Sequence, residues 1–572
     1  MLVSYQPKLA NRLKLSNRMA ITTLVLACVC VYSAICPATG AASTLAPPQS
    51  TEHRAPYLVI HLDAVPSEVF FELYDSGLLP NIEAAFEGGR VIRHAVSPFC
   101  PGTEMLYPRL AGRGDKSDAY TVAWEYLDRT TGRHTGHAQT AADLFSGIPR
   151  YALTQTIHAL PGLEWLSGWS LLNAPRLMRD HDVVQFFWFA TDLRGHMFGK
   201  QSQQASVMQL DRFIGHLLRH MQGEQFNLVL YSDHGMSLCN QVIDPDKAMA
   251  NAAEGDAVFC YYPNLYLRDP KQSQRVAMSL AEGNEVDFAF FRVNESEVVG
   301  VHAGGQVIFS SDQSGISYRF DGDDPFGYFD IGYAGEPLSD QSWLDLTAGL
   351  RYPAVPVQVF RYMEAPTSGD VVVVINPPKG LPAVTCRSGC HTGVANSHVT
   401  VPVLLVGPDI ADIEISDQFW LHTLYRDILQ IDPRKPSPAE REPHYLKVSP
   451  ESLSLAVSPA REFYIRADVD ANGWNLLGEA SVMRTYNMRA WVGAGVAASR
   501  GPAPDSAQLA GCTLQAALAG RTEAFVGPLV FEWQKVLTPA GRSSRASIRY
   551  EFEGGGLIEW AYPSQLRVGL VW

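Results

Sequence analysis

Val183–Lys200 reads VVQFFWFATDLRGHMFGK and Phe226–Met236 reads FNLVLYSDHGM. Each opens with a short apolar run, Val183–Ala190 and Phe226–Tyr231, rich in β-branched and aromatic residues and so composed like a buried strand. Hard metal ligands follow at once: Asp192 and His196, with Gly195 beside the imidazole, and then Asp233 with His234. Open α/β sheets place their ligands just past the carboxyl ends of their strands. One Asp–His pair is commonly a surface ion pair. Two pairs, each behind a core strand, predict a metal centre on an α/β fold.

Working outward, Tyr57–Asp63 (YLVIHLD) gives a third strand that ends on a carboxylate. A helix is expected from Ser67, its hydroxyl acting as cap and Gly77 as stop. Leu79–Gly89 (LPNIEAAFEGG) predicts a second short helix, VIRHAV the next strand, and Thr103 the start of a further helix. Residues 248–380 mix short strands and turns, read as the second half of the sheet plus an excursion. Ser397–Gly407 (SHVTVPVLLVG) predicts a late core strand, and the spacing of apolar residues in Gln418–Ile431 a closing helix.

A chain of 572 residues, 46% hydrophobic and 18% charged, can bury a large core and should hold more than one folding unit. Its net charge of -14 argues against a nucleic-acid polymer as partner, because phosphate backbones select basic faces. A phosphorylated small molecule remains open, since a bound divalent cation outweighs an acidic background locally.

Lys8, Arg12, Lys14 and Arg18 precede the apolar stretch Met19–Cys36 and the small residues ATGAAS. This is the layout of a secretory signal, with cleavage after Gly40 or Ala42. An uncleaved single-span anchor and a lipid-modified Cys28 are the alternatives. Residues 1–42 are therefore read as signal peptide or membrane anchor, 43–56 as linker, 57–433 as the catalytic domain with its excursion within 245–380, and 434–572 as an accessory β-rich region. Six of the nine cysteines lie beyond the leader. Cys386 with Cys390, or Cys239 with Cys260, are the disulfides an exported chain permits, and buried thiols are the other reading.

Taken in order, VIHLD, LPNIEAAFEGGRVIRHAVSPF, DLRGHMFG, YSDHGM, and GCHTG followed by VPVLLVGPDI resemble the alkaline phosphatase superfamily, most closely its type I phosphodiesterase/nucleotide pyrophosphatase branch. The DxxGHxxG pattern is complete in Asp192, Gly195, His196 and Gly199. The resemblance implies a three-layer αβα sandwich around a mostly parallel sheet, with two divalent metals, usually zinc, above it. Carried across, Asp192, His196 and His391 would hold one metal, and Asp63, Asp233, His234 and the nucleophile the other. Carboxylate and imidazole donors suit zinc, and paired metals suit in-line phosphoryl displacement.

The nucleophile loop, SPFCPGTEMLYPRLAG, departs from the family's usual spacing. Thr103 is the expected nucleophile and Cys100 the competitor. Cys100 lacks the C-x-P-x-R context of sulfatases. Glu104 stands where relatives often carry an apolar residue, and the family's phosphate-holding asparagine has no clear counterpart. His61 is expected to support the site rather than ligate. His398 competes with His391, and His94, His181 and His302 read as structural. Arg109 and Arg113 read as solvated, and Asn294-Glu295-Ser296 as a sequon that chance supplies.

These residues together predict an exported metal-dependent hydrolase of phosphate esters that acts on a phosphorylated small molecule or an envelope phosphoester. A phosphomonoesterase, a phospho-headgroup transferase and a silent binding protein on the same scaffold are the alternatives, and an N-terminal membrane tether is a further expectation.

Overall fold

A computed structural model describes residues 54–110, 122–137, most of 171–432, scattered positions between 138 and 170, and the strands between 445 and 571. The readings placed on 1–42, on Arg113 and on Cys386 lie outside the described residues. Two compact units result, one within 53–440 and one within 441–572.

The first unit is built on a six-stranded sheet. Its strands are β1 (Tyr57–Leu62), β2 (Arg90–Val96), β3 (Val183–Trp188), β4 (Asn227–Ser232), β5 (Thr400–Val406) and β6 (Gln418–Trp420), in spatial order β6-β2-β5-β4-β1-β3. All six residues of β1 are buried, as a central strand covered on both faces requires. It runs parallel to both neighbours, with Tyr57 opposite Val183 and Asn227, and Leu62 opposite Trp188 and Ser232. Three in-register parallel strands finish at one level, so the residues just past their ends emerge side by side. The sheet is mixed rather than uniformly parallel, because β5 runs antiparallel to both β2 and β4.

Helices α1 (Ser67–Asp75), α2 (Pro80–Ala85), α3 (Thr103–Leu110), α4 (Ala190–Phe198) and α5 (Lys200–His220) flank this sheet. Tyr57, Val59, Val229, Val403 and Leu405 pack with Leu106 and Leu110 of α3 in one apolar cluster. The indole of Trp188 donates to Ser206 Oγ on α5, which ties that helix to β3. The architecture is the expected αβα sandwich. Ser67 does not cap α1: it is the first helical residue, and its hydroxyl donates to Arg93 O at 2.7 Å.

Residues 418–431 are not one helix. Gln418–Trp420 joins the open edge of β2 as β6, followed by a 3₁₀ turn and a π-helical stretch at Leu424–Ile428. The apolar spacing there was sound, since Leu421, Leu424, Tyr425 and Leu429 are all buried. Sheet pairing took the first three residues. The excursion likewise does not extend the central sheet. Its strands form a separate seven-stranded antiparallel sheet running from Gly315–Gly322 at one edge to Ala257–Tyr261 at the other. Cys239 and Cys260 are not bridged; Cys239 Sγ approaches Lys379 O at 3.5 Å instead.

The second unit is a closed barrel of ten antiparallel strands. Each strand pairs with its neighbour in sequence, and Tyr445–Ser449 closes onto Gln565–Val571.

Candidate active site

Asp63 follows β1, Asp233 and His234 follow β4, and Asp192 with His196 occupy successive turns of α4, directly behind β3. His391 arrives from the loop after Gly389–Cys390. Two ligand sets result. Asp192, His196 and His391 form one and Asp63, Asp233 and His234 the other, and within each set one ligand atom per residue lies within 4.8 Å of the others. The ring centroids of His234 and His391 are 4.1 Å apart, so the two sets adjoin.

The imidazoles are oriented from behind. The Nδ1 atoms of His196, His234 and His391 bond to the carbonyls of Gly389 (2.8 Å), Gly235 (3.1 Å) and Pro101 (3.0 Å). A ring whose Nδ1–H donates to a carbonyl turns its Nε2 to the far side, where that nitrogen offers a lone pair once its proton is displaced by a cation. Those Nε2 atoms converge on carboxylates: His196 and His391 on Asp192 Oδ1 at 3.1 and 3.6 Å, and His234 on Asp63 Oδ1 at 3.5 Å. Asp192 Oδ1 is a buried acceptor on which both the His196 and His391 imidazoles are aimed. A buried acceptor faced by lone-pair donors fits a cation between them.

Charge points the same way. Burial, then the nearby Asp233 and Asp192, push the Asp63 carboxyl well above its ordinary range. Burial also works against the charge on Asp192 and Asp233, but His196 and His391 around the first, and His234 and His61 around the second, bring both carboxyls below it. Burial depresses His196, yet Asp192 outweighs it and raises the imidazole to about 9. His391 is lowered to about 3 by burial and by its two histidine neighbours. Three carboxylates crowded into a dry pocket store repulsion that divalent cations relieve.

Thr103, the first residue of α3, donates its hydroxyl to Asp233 Oδ2 at 2.7 Å and lies 3.3 Å from Asp63 Oδ1. Cys100 is buried among Phe99, Met105 and Tyr362, and burial raises its thiol well above the ordinary value. Glu104 is buried beside the site, and burial lifts its carboxyl to about 7. His398 belongs to neither set. It bonds Ser237 Oγ at 2.6 Å and accepts the Gly393 N–H at 2.9 Å. Arg109 is half-buried rather than solvated.

Close backbone packing holds the two ligand loops. A Cβ on Gly389 would meet Gly195 O at 2.7 Å, and one on Gly235 would meet Ser397 O at 2.2 Å. Behind Asp233 runs a chain of polar side chains of which sequence reasoning reached only His61. His61 Nε2 lies 3.3 Å from Asp233 Oδ2, and its Nδ1 bonds Tyr231 OH at 3.0 Å. Tyr231 OH meets Tyr425 OH at 2.7 Å, Gln185 Nε2 donates to Tyr425 OH at 3.0 Å, and Tyr107 OH donates to Gln185 Oε1. In the folded sheet His61 and Tyr231 stand opposite each other on paired strands.

Residues 110–304 match the family described as type I phosphodiesterase / nucleotide pyrophosphatase. A stretch of 84 residues is 32% identical to ectonucleotide pyrophosphatase/phosphodiesterase family member 7 of Mus musculus, covering 14% of this chain and 19% of that one. The Rattus norvegicus counterpart is 30% identical over 112 residues, covering 18% and 23%. The chain thus matches about a fifth of the length of these curated relatives. Among solved structures, murine ectonucleotide pyrophosphatase/phosphodiesterase 5 aligns with 64% of this chain and 90% of its own, at 12% identity and a TM-score of 0.38. The human protein aligns over the same shares at 11% identity and a TM-score of 0.38. Residues 110–304 thus carry the sequence pattern of the type I phosphodiesterase / nucleotide pyrophosphatase family, and the ordered motifs on either side of them resemble that branch of the alkaline phosphatase superfamily.

Proposed function

We propose that this protein is a metal-dependent phosphoric ester hydrolase that cleaves phosphodiesters or pyrophosphates through Thr103. The observation that carries the proposal is the Thr103 hydroxyl, 2.7 Å from Asp233 Oδ2 at the head of a helix and beside two adjoining ligand sets. Asp192, His196 and His391 would hold one divalent ion, and Asp63, Asp233, His234 and Thr103 a second. The donor set favours zinc. When bound, such ions supply positive charge to the phosphoryl group and to the entering and leaving oxygens.

The chain's own residues do the rest. The amide end of α3 and the carboxylate at Asp233 orient the Thr103 hydroxyl and favour loss of its proton. Its oxygen attacks phosphorus, the ester bond to the leaving alkoxide breaks, and a phosphothreonine forms. Water then attacks that phosphorus and returns the threonine. The substrate is a phosphorylated small molecule or an envelope phosphoester, and the N-terminal sequence supports export.

Thr103→Ala should lower turnover of bis(p-nitrophenyl) phosphate by at least about a thousandfold while zinc content, read by elemental analysis, is kept. Activity that survives Thr103→Ala but is lost in Cys100→Ala would transfer the nucleophile's role to the thiol. Wild-type protein loaded with zinc or manganese that cleaves neither the diester nor p-nitrophenyl phosphate would remove the hydrolase reading altogether.

A further inference from the structure

The barrel is inside out for a water-soluble protein. Among the described residues it buries one apolar side chain, Leu477, against six polar or charged ones: Arg466, Glu479, Arg521, Glu532, Gln534 and Ser547. Two buried ion pairs cross its interior, Arg466 with Glu532 at 3.2 Å and Arg521 with Glu479 at 3.0 Å. Among the described residues, the large apolar side chains Leu476, Val492, Leu518, Trp533 and Ile548 are on the outside, 45%, 44%, 62%, 48% and 39% exposed.

Adjacent residues alternate accordingly, with Leu476 out and Leu477 in, Trp533 out between Glu532 and Gln534, and Ser547 in beside Ile548. The ladders carry the same phase from strand to strand, pairing Arg521 with Gln534, Glu532 with Ser547, and Ala494 with Leu518. In sequence, the positions of Cys512–Val526 in step with Leu518 are Cys512, Leu514, Ala516, Gly520, Thr522, Ala524 and Val526, none of them charged, while Thr513, Gln515, Ala517, Ala519, Glu523 and Phe525 fall in step with Arg521, in the set that holds every charged residue of the strand.

A soluble barrel fills its interior with apolar side chains and wets its exterior. This one does the reverse. Closure satisfies every strand's hydrogen bonds within the barrel, as a hydrocarbon medium demands of backbone. Five consecutive strands, Gly473–Arg484, Met488–Arg500, Cys512–Val526, Leu529–Thr538 and Gly541–Glu551, run 12, 13, 15, 10 and 11 residues, and the five on the other side of the barrel run 5 to 9. About 9–11 residues suffice for a tilted strand to span a bilayer. The strand number is even, the strands are antiparallel, and the interior is polar, as in barrels that stand in membranes.

We infer that the C-terminal barrel is embedded in a lipid bilayer, with the acyl chains covering the Leu476, Val492, Leu518, Trp533 and Ile548 face. The chemistry at the metal-ligand sets and the insertion of the barrel are separate properties, so either can fail alone.

The test uses the full chain reconstituted in phosphatidylcholine vesicles whose acyl chains carry a diazirine. After photolysis, peptide mass spectrometry should place lipid adducts on Leu476, Val492, Leu518, Trp533 and Ile548, and none on Arg466, Glu479 or Gln534. The double variant Val492→Arg, Leu518→Arg should lose barrel adducts and vesicle flotation at least tenfold, while Ser547→Ala keeps both. The wild-type adduct map decides the matter even if the double variant fails to fold. Adducts confined to residues 19–36, or none, would overturn the inference. So would a lipid-free, concentration-dependent dimer in analytical ultracentrifugation with the same face protected, because the cover would then be a second copy.

Discussion

The site is made of side chains whose protonation is set by burial and by one another, so pH is a probe of single residues. His398, bonded to Ser237 and Gly393 and lowered to about 4 chiefly by burial, is neutral in the folded protein. In the unfolded chain the imidazole titrates near about 6.5. The folded value being the lower one, its contribution to stability is complete above the unfolded pKa and is lost as pH falls through the folded one. The loss amounts to on the order of 3 kcal/mol. Thermal unfolding of wild type and His398→Gln should therefore show a gap that narrows from pH 6.5 to pH 4, and a gap that is flat across that window would deny the residue its buried neutral state. That these acidic and imidazole side chains gather in two clusters was legible because each stands directly behind a core strand or in a compact motif. The polar chain behind Asp233 was not, since Gln185, Tyr231 and Tyr425 are far apart in sequence and individually carry no motif.

Among elements, parallel register explains why ligands from distant parts of the chain meet. β1, β3 and β4 end level, and loops of minimal width hold the ligands just beyond those ends. Gly235 is the narrowest point, with its N–H on His398 O at 2.8 Å. Gly235→Ala places a carbon 2.2 Å from Ser397 O, a backbone atom that cannot swing away. We expect a loss of about 1–3 kcal/mol in denaturant unfolding and a fall in bound zinc as Asp233 and His234 are displaced. Unchanged metal content would show that the loop tolerates the shift. The strands were readable from short apolar runs, whereas Gln418–Ile431 misled because a helical apolar spacing also serves an edge strand followed by a tight turn. The excursion misled for a related reason: strand patterns reveal that residues pair, but not with which sheet.

For the molecule as a whole, the two units answer to different forces, the first to an apolar core around two buried clusters of carboxylates and imidazoles, the second to a closed hydrogen-bonded ladder. Ligand binding to the folded state alone adds about 4 kcal/mol when the ligand is a thousandfold above its Kd. Calorimetry should show one transition that falls on chelation and recovers with zinc, and a second that ignores both; a single transition shifting as one body would contradict this. The C-terminal region read as β-rich from sequence, but closure and its inverted polarity did not emerge, because each strand carries only a weak alternating signal.

The side chains running from Thr103 through Asp233, His61, Tyr231, Tyr425 and Gln185 return to Tyr107, one turn along the helix that Thr103 begins. They make a ring, and a ring has a last link. A polypeptide released before Tyr425 was made would own both clusters and the Thr103 hydroxyl, yet leave the circle open between Tyr231 and Gln185. The pocket is thus completed late in synthesis, by a phenol that belongs to neither cluster.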